Sequence, residues 1–199
     1  MSNLLVIKSS ILSAHSTTGL LIDEVVATMQ KQDPSQNVVV RDLAASPLPQ
    51  LDADVLTGFS AAEGLTPSQQ EAKALSEALI AEVAAADRLV IGVPMYNFGL
   101  PTQLKSWIDY LCRAGVTFRY TEQGPVGLLA DKPVLLVVAT GGLHRGTQTD
   151  LAVAHIRTVL NFIGLKSLTI AYAEGMGMGP DARESGLAEA RSTLLPFVA

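Results

Sequence analysis

Five short apolar runs recur along the chain: Leu4–Ile7, Val38–Val40, Leu89–Val93, Val134–Val138 and Leu168–Tyr172. Runs this brief, rich in β-branched residues, read as strands buried on both faces of a parallel sheet. The segments between them carry helical spacing. Leu21, Val25 and Met29 fall at i, i+4 and i+8 in a helix from about Leu20 to Gln32. Thr66-Pro67-Ser68-Gln69 joins a capping hydroxyl, a first-position proline and a capping-box glutamine, which starts a helix reaching about Ala86. Further helices are expected from Thr102 to Arg113, from Asp150 to Ile163 with Gly164 as the C′ stop, and from Asp181 to about Leu195. Alternating strands and helices with right-handed crossovers give an α/β fold: a doubly wound five-stranded parallel sheet, order 2-1-3-4-5, with helices on both faces. Asp52–Leu65 lacks a clear period and is expected to be irregular or only weakly helical. Thr117–Leu128 alternates and then breaks at Gly124-Pro125, as an extended excursion or a hairpin would.

With 199 residues, 48% of them apolar and 17% charged, the chain is globular and suits one domain over residues 1–199. A net charge of −5 argues against nucleic acid or an anionic membrane as partner. The single cysteine, Cys112, rules out an internal disulfide framework and reads as a buried apolar residue in a reducing compartment. The segment Met1–Lys8 has no basic region ahead of its short apolar run, and no run approaches the roughly 18 residues of a membrane span. A cytoplasmic protein is expected.

In an open parallel sheet, ligands sit beyond the carboxyl ends of the strands, where the strand order reverses. Three loops should meet there. The first, Ser9–Thr18, is rich in hydroxyls and leads into a helix start, where unpaired N–H groups and the helix dipole favour anions. Ser10, Ser16, Thr17 and Thr18 offer donors to one phosphate. At about 1.5–3 kcal/mol for each charge-assisted bond, a few suffice without Arg or Lys. Capping alone would explain one or two of these residues. The second loop follows Pro94, which has no N–H and should end the strand. Its residues Met95, Tyr96, Asn97 and Phe98 bring two rings, a thioether and an amide, suited to a flat heteroaromatic ring with a polar edge such as a flavin. Either ring alone reads better as core, and the ligand reading rests on the loop's position beside the other two. The third is Ala139-Thr140-Gly141-Gly142-Leu143-His144, where two glycines let backbone N–H groups approach a planar ligand. His144 would stand at the ring's edge or, equally, as a surface histidine.

Rival motifs fail. No Gly-x-x-x-x-Gly-Lys-Ser/Thr loop and no Gly-x-Ser-x-Gly elbow occurs. Gly175-Met176-Gly177-Met178-Gly179 imitates a dinucleotide fingerprint, but its third glycine comes one residue early. Strand 1 ends in Lys8-Ser9 rather than the acidic cluster of a receiver domain. His15, His144 and His155 have no metal-ligand spacing, so no metal is expected.

Several stretches together resemble one family: Lys8-Ser9-Ser10-Ile11-Leu12, Arg41-Asp42-Leu43, Pro94–Phe98 with Thr102-Gln103-Leu104-Lys105, Ala114–Glu122, Gly141-Gly142 with His144, Phe162-Ile163-Gly164, and Ala173-Glu174-Gly175. They resemble the bacterial FMN-dependent NADH:azo-compound and quinone oxidoreductases, the azoreductase family, over essentially the whole chain. The run Ala114-Gly115-Val116-Thr117-Phe118-Arg119-Tyr120-Thr121 is its most specific signature. The resemblance implies a flavodoxin-like domain, a homodimer with one tightly bound FMN per subunit, and NADH as electron donor. Ser10 and Ser16–Thr18 would hold the phosphate. Met95–Phe98 and Ala139–Gly142 would hold the ring, with His144 at its edge. Tyr120 and Phe162 would line the substrate space, partly across the dimer interface. The implied chemistry is ping-pong reduction of quinones and azo compounds. Thr140 departs from the family's usual polar or basic residue before Gly141. Leu56–Gly64, where nicotinamide phosphates would approach, holds Phe59 and Glu63 but no Arg or Lys, which favours NADH over NADPH. A flavodoxin-type electron carrier is the alternative, with a non-flavin domain that binds a phosphorylated regulator behind it. Carriers of this fold are usually smaller and more acidic.

Overall fold

The computed structural model describes residues 2–60 and 63–198. Positions 61 and 62, inside the segment expected near the nicotinamide, lie outside the described residues. In chain order the first half comprises β1 (Asn3–Lys8), α1 (Thr17–Gln32), β2 (Asn37–Asp42), α2 (Ala53–Ser60), α3 (Pro67–Ala85) and β3 (Arg88–Pro94). The second half comprises α4 (Thr102–Leu111), β4 (Phe118–Thr121), β5 (Gly124–Gly127), β6 (Val134–Ala139), α5 (Leu151–Ile163), β7 (Leu168–Ala173) and α6 (Pro180–Val198). Five strands form one parallel sheet in the order β2-β1-β3-β6-β7. With the hairpin strands set aside, this is the expected 2-1-3-4-5.

Strand residues point alternately to opposite faces, and the core divides accordingly. Leu4, Val6, Val90, Leu135 and Val137 meet α1 and α6 on one side. Leu5, Ile7, Leu89, Ile91, Val93, Leu136 and Val138 meet α3, α4 and α5 on the other. Gly92 lies where α1 crosses the sheet. A Cβ there would stand 3.1 Å from Ile22 Cδ1 and 3.3 Å from the Thr18 hydroxyl. Glycine therefore lets the start of α1 settle directly on the end of β3.

Local signals place most boundaries. Thr66 and Gln69 form the reciprocal capping box of α3, and Gly164 ends α5 in the left-handed region at φ 114°. The structure differs from expectation in several places. α1 starts at Thr17 rather than near Leu20, because the Ser16 hydroxyl accepts from Gly19 N–H at 2.8 Å. Asp52–Leu65 contains a true helix, α2, started by Asp52 accepting from Val55 N–H at 2.8 Å. Pro94 is the last residue of β3, and Met95 N–H still reaches the Ala139 carbonyl at 2.9 Å. α6 runs past Leu195 with Pro196 inside it, and its last residues Phe197 and Val198 are held in the core beside α1. Cys112 follows the last turn of α4. Burial, with Asp109 second, pushes its thiol up to about 11, which leaves it an inert neutral group.

The hairpin β4–β5 turns at Glu122-Gln123, so Gly124-Pro125 belongs to its second strand rather than to a break. It lies tightly on the end of α5. A Cβ on Gly127 would come within 2.3 Å of Gly164 N, and Leu129 N–H donates to the Ile163 carbonyl at 3.0 Å. That contact brings Phe118 to 4.3 Å from Phe162, centroid to centroid.

Asp131 ties the start of β6 to the start of β7. Its carboxylate accepts from the N–H groups of Lys132, Lys166 and Ser167 and from the Ser167 hydroxyl, at 2.7–3.0 Å. The Ser167 hydroxyl first, then the Ser167 and Lys166 N–H groups, hold the carboxyl at about 2. A pKa lowered on folding stabilises the protein above the unfolded value of about 3.9 and loses that contribution as pH falls through the folded one. The stability gap between wild type and Asp131→Ala, from urea unfolding, should be constant from pH 8 to 5 and shrink between about pH 4 and 2. An unchanged gap at low pH would show that the clamp carries no charge-dependent stability.

Candidate active site

Three loops leave the carboxyl ends of β1, β3 and β6 and enclose a cleft of about 290 Å³. The first loop makes a 3-10 turn, Ser13–His15, before α1. Ser9 anchors it to β3, its hydroxyl donating to the Gly92 carbonyl at 2.8 Å. Ser16 is buried and its hydroxyl is committed to capping, accepting from Gly19 and sharing a 3.1 Å bond with the Thr18 hydroxyl. The N–H groups of Thr17 and Thr18, in the first turn, have no intrahelical acceptor to reach. Thr17 and Thr18 line the cleft, as does Ser10. Ser10 and Thr18 also border an adjoining polar pocket of about 420 Å³, where Ser16 lies.

The second loop is a tight turn. Tyr96 and Gly99 exchange two backbone bonds at 3.0–3.1 Å, and the residues between them, Asn97 and Phe98, both lie in the left-handed region, at φ 49° and 65°. A two-residue turn with φ positive at both central positions suits Asn first but normally takes Gly second. Phe98 occupies that second position at a cost of about 1–2 kcal/mol, and its ring stands half exposed. Strain of this kind gathers at ligand sites. The turn is joined to both neighbours. The Tyr96 hydroxyl meets Ser10 Oγ at 3.1 Å, and the Phe98 ring meets the His144 ring edge to face at 5.7 Å.

The third loop is held from behind by Gly175–Gly177. The carbonyls of Thr140, Gly141 and Gly142 accept from the N–H groups of Met176, Gly177 and Gly175 at 2.9–3.1 Å. A trans peptide sets N–H opposite C=O, so the N–H groups of Gly141, Gly142 and Leu143 point away from that brace. The buried Thr140 hydroxyl donates to the Gly142 carbonyl at 2.8 Å. It therefore stiffens the loop rather than facing a ring edge. Glu174 accepts from the N–H groups of His144 and Arg145, and His144 Nδ1 lies 2.8 Å from the Thr149 hydroxyl. Behind these, Tyr172 donates to Asp150 at 2.7 Å. Burial first, and that bond second, push the Tyr172 phenol well up, so it remains a proton donor.

The structure gathers Ser10, Thr17, Thr18, Met95, Tyr96, Ala139, Thr140 and Gly141 around the cleft. Asn97, Phe98, Gly142 and His144 belong to the same two loops but are not on the cleft's lining. Tyr120 and Phe162 stand apart, the first edge to face with Phe118 and the second tilted against it, and Tyr120 is 74% exposed. Sequence reasoning missed Leu12, His15, Pro94, Met176, Gly177 and Arg183, which complete the lining. Gly175-Met176-Gly177 was visible as a glycine-rich loop after the strand beside β6, and its role is this brace. Phe59 does not face the cleft. It lies edge to face on Tyr110 at 5.4 Å, with the Arg113 guanidinium 5.3 Å over its ring.

A phosphorylated flavin fits this donor set. The lining is apolar along Pro94, Met95, Ala139 and Met176, and polar at Ser10, Thr17, Thr18 and Arg183, which matches a flat body with an anionic tail. A Cβ added at Gly141 would meet nothing within 4 Å. The space beside that glycine is open cleft.

Comparison with known proteins agrees with this geometry. Residues 2–196 match the model of a family described as having a flavodoxin-like fold. A protein of Tolumonas auensis named FMN-dependent NADH:quinone oxidoreductase is 52% identical, over 100% of this chain and 99% of its own. One of the same name from Shewanella amazonensis is 51% identical over 98% of each. The crystal structure of an azoreductase from Bacillus anthracis superposes with a TM-score of 0.90 at 28% identity, covering 100% of this chain and 99% of that one. The chain belongs to the azoreductase and NADH:quinone oxidoreductase family of flavodoxin-like proteins.

Proposed function

We propose that residues 1–199 form a single FMN-binding domain that reduces quinones and azo compounds with NADH. The observation that carries this reading is the cleft itself, apolar along its walls and closed at one end by the hydroxyl-rich start of α1. When bound, FMN supplies a two-electron carrier that accepts hydride from NADH and passes it to a quinone or azo bond in ping-pong order. Ser10, Thr17 and Thr18 hold the phosphate with the first-turn N–H groups of α1, and Ser16 fixes their positions. Met95–Phe98 and Ala139–Gly142 hold the ring, and His144 presents its imidazole at the edge. The chain's contribution is to orient the cofactor and exclude water from its face.

Tyr120 and Phe162 lie away from the cleft of their own subunit, so their place in the substrate space requires a second copy. A homodimer also covers the apolar hairpin, where Tyr120, Val126 and Leu128 are exposed. Among the described residues no helix is long and apolar enough to cross a membrane, in keeping with a cytoplasmic enzyme of small molecules. Leu56–Gly64, without Arg or Lys, favours NADH over NADPH.

Anaerobic NADH addition to the FMN-reconstituted protein should bleach the flavin's visible band, and menadione should restore it, faster than in a free-FMN control. A bound flavin that NADH leaves oxidised would instead mark an electron carrier. Asn97→Ala combined with Gly141→Val should keep the far-UV circular dichroism and lose tight FMN binding, because valine fills open cleft at a backbone that tolerates it. Full FMN affinity in that variant would move the ring site elsewhere. Tyr120→Ala should change azo-substrate kinetics while FMN affinity stays within about twofold; the reverse pattern would put Tyr120 against the cofactor.

A further inference from the structure

Arg183 is the single permanently charged side chain on the lining of the cleft, and no carboxylate lines it. Among the described residues it has no carboxylate within 4.0 Å, a state shared by other Lys and Arg of the chain, but none of those lines the cleft. Its Nη1 lies 3.4 Å from the Thr17 hydroxyl and 3.7 Å from Met176 Sδ. Arginine has five donors in a planar fork, so one long bond to a hydroxyl leaves most of them unspent. Thr17, accepting from Arg183, keeps its own proton to donate.

The position is unfavourable for a cation without a ligand. Arg183 sits in the opening turn of α6, where the helix dipole repels positive charge. Backbone geometry nevertheless fixes it there. Gly179, at φ 103°, turns the chain into α6. Gly186, one turn beyond Arg183, lets the helix lie so close that a Cβ would stand 2.1 Å from the Glu174 carbonyl oxygen. Glu174 and Met176, in and beside the segment that braces the third loop, therefore seat the helix that carries Arg183.

Resting on the FMN reading above, we infer that Arg183 pairs with the cofactor's phosphate and makes the site selective for the phosphorylated flavin over riboflavin. The phosphate is then held from both sides. Thr17, Thr18 and the α1 N–H groups approach from one helix, and a guanidinium from another helix more than 160 residues away in sequence. A dianion entering a protein of net charge −5 also gains a local countercharge.

The test uses the full-length apo-protein and measures the dissociation constants of FMN and riboflavin by flavin fluorescence quenching, at two salt concentrations. Arg183→Gln should weaken FMN by roughly tenfold to a hundredfold, as expected for lost charge-assisted bonds. Riboflavin affinity should stay within about twofold, and the salt dependence of FMN binding should flatten. Arg183→Lys, which keeps the charge but loses the fork, should fall between. Equal loss for both flavins would overturn the proposal and give Arg183 a merely structural role. Unchanged FMN selectivity would overturn it while leaving the FMN reading intact. Wild-type protein that binds neither flavin would sink both.

Discussion

Hydrogen bonds from Gly175, Met176 and Gly177 to three consecutive carbonyls, those of Gly142, Thr140 and Gly141, fix the shape of one side of the cleft. Without these partners the loop after β6 would carry three unpaired carbonyls, and its peptide planes would be free to rotate. With them, the N–H face of the loop is committed to the opposite side. Gly175 contributes its backbone freedom to the brace, lying in the left-handed region at φ 72°. Glu174 then locks the continuation of the loop by taking the His144 and Arg145 N–H groups. The third loop thus acquires its shape from residues that follow the next strand.

The first two loops are held differently. Gly92 removes a side chain so that α1 can rest on β3, and Ser9 reaches across to the Gly92 carbonyl. The N-terminal turn of α1 therefore moves with the sheet and not with a flexible connector. The second loop stores its strain locally, in Asn97 and Phe98. The paired bonds between Tyr96 and Gly99 keep that turn closed, and the Ser10–Tyr96 contact ties it to the first loop. Three loops with different local chemistry become one rigid rim because each is bonded to a neighbour through backbone or short side chains.

Much of this was legible in the sequence because it is local. Strand runs and the capping box at Thr66 depend on neighbours within a few residues, and with the crossover rule they narrow the sheet to a few orders, of which the expected one is present. The hydroxyls before α1, the aromatic turn and the paired glycines could each be read in place, and the topology alone says that they meet. Long-range placement escaped. Nothing near Arg183 in sequence distinguishes it from a solvated surface arginine; only the seating of α6 through Gly186 brings it to Thr17. Gly124-Pro125 looked like a break because both residues weaken strands, yet a two-stranded edge tolerates Pro where its missing N–H faces outward. Helix α6 passes Pro196 because Phe197 and Val198 are anchored in the core, a tertiary term that outweighs the local one.

The two ends of the cleft divide the work of recognition unequally. Along the walls, Met95 and Met176 offer adaptable, weakly directional surface, and the Thr140 hydroxyl is spent inside its own loop. Directional donors concentrate instead at the α1 end, in Thr17, Thr18 and the free guanidinium of Arg183. A ligand fixed by its anionic tail needs little shape selection along its flat body. In the proposed dimer, the exposed face above it would be bounded chiefly by hydrophobic contacts, from Phe98 and, across the interface, from Tyr120 and Phe162. Apolar walls discriminate poorly between flat molecules that differ by a methylene or a hydroxyl. On the proposed reading, strict choice of cofactor and loose choice of electron acceptor would follow from one arrangement of side chains: polar where the ligand is to stay, apolar where substrates must come and go.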